Sequence, residues 1–171
     1  MGAALRLEDF LPDPQAMVCI ASNALAEMDA GVAQRFGDLE KLLEENSHSL
    51  GRIRAGAARL VAAARDEQPQ NIEELIDQLL QLERRMEGQW GEGIRNGERL
   101  LRLLKQAPRS DRSSMEPLVR KILDTLQEVK ETTRDARWQL IVVRAEMLPK
   151  GEGPVFDNAR ELGQALDKFK V

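Results

Sequence analysis

Apolar side chains recur along this chain in steps of three and four. One stripe runs through Met17, Ala21, Ala24, Met28, Val32, Phe36, Leu39 and Leu42, then resumes at Leu50, Ile53, Ala57, Leu60 and Ala64. That spacing marks an α-helix with one face turned towards partners. One step lands on Asn46, inside the polar run Asn46-Ser47-His48-Ser49, and Gly37-Asp38 reads as a C-cap glycine followed by an N-cap aspartate. The pattern predicts two helices, roughly 14–36 and 38–67, or one long kinked helix, with the unbroken register favouring near-continuity.

Upstream, Leu5, Leu7, Phe10 and Leu11 precede Pro12 and Pro14. The prolines bar a regular helix, so this stretch is expected to be an arm whose hydrophobes dock on the rest. Asp13-Pro14 makes a helix start, with aspartate as N-cap and proline in the first helical position.

Gln68-Pro69-Gln70-Asn71 reads as a turn. Asn71 is expected to cap the next helix, with Glu74 three residues on as in a capping box. That helix carries Ile72, Leu75, Leu79, Leu82, Met86, Trp90, Gly93, Gly97, Leu100 and Leu104, and ends before Pro108 and the polar run Arg109 to Ser114. The next is expected to start near Ser114, with Pro117 in its first turn, and to bury Leu118, Ile122, Leu126, Val129, Thr133, Ala136, Leu140, Val143 and Met147. Near its end the apolar surface widens to include Trp138, Ile141, Val142 and Leu148, as for a helix with more than one neighbour. After Pro149 to Pro154, a short amphipathic helix is expected over 155–169, with Val155 or Phe156, then Ala159, Leu162, Leu166 and Phe169.

Short connections turn consecutive helices antiparallel. The expected fold is therefore all-α: an elongated antiparallel bundle of four or five helices with coiled-coil-like seams. Its parts are an arm over 1–13, a bundle over 14–149 and a short C-terminal amphipathic helix over 150–171 packed on it. A helical glycine costs about 1 kcal/mol against alanine, so Gly51, Gly93 and Gly97 are expected at close approaches. Pairing about Pro69 would set Trp90 beside Ser49 and Gly51, and Gly51→Leu would then be damaging.

Composition agrees with helices. Hydrophobic residues make up 42% of the 171 residues and charged residues 32%, but aromatics only 4%, with no tyrosine. A core of Leu, Ala, Val, Ile and Met suits helices and suits sheets poorly. A net charge of −4 argues against nucleic acid as the partner. The single cysteine, Cys19, excludes an internal disulfide and fits a reducing, cytoplasmic setting; it is expected as a small buried hydrophobe. No apolar run is long enough to span a membrane, the early acidic residues oppose a secretory signal, and Arg6 spoils a myristoylation pattern. High Ala, Arg and Leu content points to a bacterial source with GC-rich coding DNA.

Candidate chemistry begins with His48, the only histidine. The run His48-Ser49-Leu50-Gly51-Arg52 followed by small residues resembles histidine phosphotransfer domains at Leu50 and at the small positions, and departs from them at Gly51 and Arg52. The resemblance implies a phospho-acceptor; the plain alternative is a solvated histidine. Glu45-x-x-His48 resembles half of a ferritin-like carboxylate site, which needs further inward-facing glutamates. The glycines around Trp90 follow no strand, so they are not a phosphate loop. Basic residues gather at Arg95, Arg99, Arg102, Arg109 and Arg112, behind an acidic stretch from Glu73 to Glu92. That order suits the helix dipole, and it equally offers a basic patch to an acidic partner. Ser110, Ser113 and Ser114 lie in what is expected to be a basic loop, where a phosphate would be electrostatically comfortable.

No constellation of nucleophile, base and oxyanion donors is present. The expectation is a non-catalytic interaction, adaptor or scaffold protein without cofactor or metal. It would bind a protein partner, self-associate along its seams, and use Trp138 and the arginines above as contact residues. A phosphorelay module using His48 and a ferritin-like metal protein are the alternatives.

Overall fold

Asp13 begins the first helix as its sequence requires. Its Oδ1 accepts a hydrogen bond from the Ala16 amide at 3.1 Å, and Pro14 supplies a first-turn φ without needing a partner for a missing N–H. The computed structural model describes residues 4–28, 36–148 and 166–167. They form four helices: α1 Pro14–Glu27, α2 Phe36–Glu67, α3 Ile72–Leu104 and α4 Arg109–Met147, preceded by a 3-10 turn at Leu7–Asp9. No strand occurs among the described residues. The longest helix, with 39 residues, is a rod of about 58 Å.

The bundle is all-α, and consecutive helices alternate in direction. α3 and α4 run antiparallel: Gly97 faces Leu123, Gly93 faces Leu126 and Glu83 meets Arg137. α1 lies along α3, where Asn96 Nδ2 donates to the Ser22 carbonyl at 3.1 Å. α2 lies along α4, tied by ion pairs from Arg54 to Glu128 and from Arg65 to Glu146. Leucines at positions 39, 60, 75, 79, 100, 126 and 140 are almost wholly buried in one core. Each stabilises the fold by about 1.5–3 kcal/mol relative to an exposed position.

The arm contacts both α2 and α3. Phe10 sets its carbonyl against Gly56 on α2, and Leu7, Leu11 and Pro12 share a cleft with Gln78 and Leu82 of α3. The chain before α1 thus sits between the two helices that the turn at Pro69 joins. The arm is docked, as its apolar residues require, with Leu11 buried.

Several local expectations need correction. α1 ends at Glu27, not near position 36, and α2 already includes Gly37 and Asp38, so that pair opens a helix instead of breaking one. Because α1 and α2 run in opposite directions, near-continuity over 14–67 does not hold. Asn71 occupies the N-cap position of α3 but makes no cap hydrogen bond; its side chain is engaged by Leu5 instead. α4 starts at Arg109, directly after Pro108, and carries Pro117 in its interior. Pro117 and Ser113 are both exposed, so water can take the Ser113 carbonyl that lacks an N–H partner. Trp90 lies against Val18, Val129 and Lys130 because α1 and α4, not α2, flank that part of α3. Gly51 has open space where its side chain would be, so the expected close approach there is absent. Of the expected C-terminal helix, only Leu166 and Asp167 are described; both are helical and Leu166 packs on the core, while the rest lies outside the described residues.

Buried polar groups along the seams are mostly paired. Thr125 and Thr133 turn their hydroxyls back onto the carbonyls of Lys121 and Lys130, at 2.7 and 2.9 Å. Asn46 is one exception: it is 3% exposed, and its Nδ2 has no partner among the described residues.

Candidate functional site

The C-terminal third of α4 combines a charged interior with an apolar exterior. Arg137 is fully buried and grips Glu83 of α3 in a fork, Nε to Oε2 at 2.5 Å and one terminal nitrogen to Oε1 at 3.1 Å. A planar guanidinium suits such two-point recognition. Next along α4, half-buried Trp138 lies with its ring centroid 5.6 Å from the Arg137 guanidinium carbon. One turn further, Val142 is 48% exposed, and Leu148 beyond it is 39% exposed. The widened apolar surface expected to meet a further neighbour is therefore covered only in part. Ile141 and Val143 turn inward, whereas Val142 and Leu148 face solvent.

A second polar–aromatic cluster lies where α1, α3 and α4 meet. Lys130 Nζ sits 3.8 Å from the Trp90 ring centroid, the geometry of a cation–π contact. Glu83, Met86, Val129 and Arg134 complete a cleft of about 30 Å³, space for about one water. Trp90 Nε1 and Gln89 Oε1 are buried without partners among the described residues. Sequence periodicity placed Trp90 in a seam but could not name Lys130 as its neighbour.

The expected basic patch divides into two parts. Arg95, Arg99 and Arg102 are exposed along one face of α3, while exposed Arg109 and half-buried Arg112 begin α4. None of the five has an ion-pair partner among the described residues. The serines expected in a loop instead lie in the first two turns of α4, where Ser114 Oγ donates to the Ser110 carbonyl at 3.0 Å.

His48 and Glu45 are both exposed on α2, so they do not present the inward-facing geometry of a ferritin-like site. Among the described residues, no three His, Cys, Asp or Glu side chains gather at metal-binding range. Cys19 is half-buried, not fully buried as expected, and accepts a contact from Asn23 Nδ2 at 3.6 Å. No described helix is long and apolar enough to cross a membrane. No protein family, curated protein or solved structure matches the chain.

Proposed function

We propose that this bundle is a non-catalytic, cytoplasmic adaptor that binds a protein partner and works as a homo-oligomer. One observation carries the partner-binding part: exposed Val142 one turn from half-buried Trp138 on α4, with Leu148 exposed just past the helix end, on helices whose other outward positions are largely polar. Apolar surface rimmed by polar residues gains most from burial against another protein, and a tryptophan at its edge is the residue type most often dominant in such contacts. The buried Arg137–Glu83 fork joins α4 to α3 directly beside Trp138.

The test is co-purification from the native cell with wild type and Val142→Glu. The variant replaces an exposed side chain, so helical dichroism and melting should be unchanged. A partner retained by wild type and lost from Val142→Glu supports the proposal. A partner held equally by both, or none by either, refutes it.

Exposure of His48 on a long helix favours a second reading, a phospho-acceptor. A histidine kinase with radiolabelled ATP should then label wild type and not His48→Gln. No label on wild type ends that reading.

A further inference from the structure

The outward face of α3, directly opposite its buried seam, holds charges of both signs in an ordered sequence. Acidic Glu74 and Asp77 come first, then Arg84, Gly88 and Glu92, then Arg95, Arg99 and Arg102; all eight are exposed. Among the described residues, none of the seven charged groups takes part in an ion pair.

The order is self-complementary about Gly88. Asp77 and Arg99 lie eleven residues to either side of it, Glu74 and Arg102 fourteen, and Arg84 and Glu92 four. Each of these six positions faces one of opposite charge, and Arg95 faces the neutral Gln81, when a second α3 is laid antiparallel across the first with the two-fold axis at Gly88. A two-fold interface requires this kind of pattern, because one surface must complement itself. A parallel α3 in the same register would instead bring each charge against its own copy.

Gly88 itself fits the crossing point. A side chain built there meets nothing within 4 Å among the described residues, so none of them demands a glycine at that place in a helix. A bare crossing point lets the two backbones come close enough for short acidic side chains to reach arginines on the other copy.

We infer that the homo-oligomer proposed above, on which this inference rests, is a two-fold dimer formed by antiparallel α3 helices crossing at Gly88. Asp77, Glu74 and Glu92 of each copy meet Arg99, Arg102 and Arg84 of the other. The surface is distinct from that of Trp138 and Val142 on α4, leaving those residues free for a different partner.

Sedimentation velocity over a wide concentration series tests it, at low and high salt. Wild type should dimerise at low salt, and association should weaken by about tenfold or more at high salt, since exposed ion pairs are screened. Asp77→Arg alone and Arg99→Asp alone should each abolish dimerisation, and the double variant Asp77→Arg/Arg99→Asp should restore it. In a Cys19→Ser background, Gly88→Cys should form a disulfide-linked dimer under mild oxidation. A wild type that stays monomeric throughout overturns both this dimer and the proposed homo-oligomer. Association that survives the single reversals, or that the double variant fails to rescue, leaves the homo-oligomer standing and overturns the α3 crossing.

Discussion

The side-chain amide of Asn71 brackets the backbone of Leu5: its Oδ1 accepts from the Leu5 amide at 3.0 Å, and its Nδ2 donates to the Leu5 carbonyl at 2.6 Å. The contact spans 66 positions and latches the arm to the turn between α2 and α3. It also explains why Asn71 does not cap α3, since both ends of the amide are already used. Asn71→Ala should cost about 1–2 kcal/mol, two hydrogen bonds at a half-buried site. Limited proteolysis should then cut before Pro14 sooner than in wild type. Unchanged cleavage there would mean that the latch does not hold the arm.

Two glycines of α2 should respond in opposite ways. A Cβ at Gly56 would overlap the Phe10 carbonyl, which is backbone and cannot swing aside, so Gly56→Ala should displace the arm and destabilise the fold. At Gly51 nothing lies within 4 Å, and Gly51→Ala should stabilise by up to about 1 kcal/mol from helix propensity alone. Urea denaturation of the pair measures both. Equal effects would contradict the seating of Phe10 on α2.

The fork between Glu83 and Arg137 is a buried ion pair, so removing one partner strands the other. Arg137→Ala should cost about 3–5 kcal/mol, while Glu83→Leu with Arg137→Met should recover most of the loss. A double-mutant cycle by chemical denaturation checks the coupling. Additive single effects would show that the two side chains do not depend on each other.

Asn46 interrupts an otherwise apolar stripe, and its Nδ2 has no partner among the described residues. Asn46→Leu should raise stability by about 1–3 kcal/mol, because the unmet group is removed and apolar surface is buried in its place. A lower melting temperature would show that the amide has a use within the seam.

The two ends of the legibility range are easy to identify. Leu39, Leu60, Leu75 and Leu126 were readable as core because helical spacing reports which face of a helix is hidden. The same spacing does not report what covers that face, and Trp90 shows the result: its seam position was legible, its neighbours Val18 and Lys130 were not. The missing signal lay partly in register. Residues equidistant from Ser110 face each other across α3 and α4, which brings Glu83 to Arg137 and Trp90 to Lys130. Reading charges in that register would have found the fork. Asn71 was misassigned because capping and arm-latching require the same residue type, and only the approach of Leu5 chooses between them. Pro117 was misplaced because proline is favoured in a first turn, whereas an exposed helix interior tolerates it when water serves the freed carbonyl. For the functional surface, the widening at Trp138 and Val142 was legible as excess apolar area, although Ile141 and Val143 could not be told from Val142 without knowing where α3 lies.

The wedge formed by the arm has a consequence for the order of events on the ribosome. Leu5 and Phe10 emerge early, yet the surfaces that receive them, Gly56, Asn71 and Leu82, are made later. At synthesis rates of about 5–20 residues per second, several seconds separate the two. During that interval the apolar side chains of the arm have no native seat, and they gain one only when α3 has been translated.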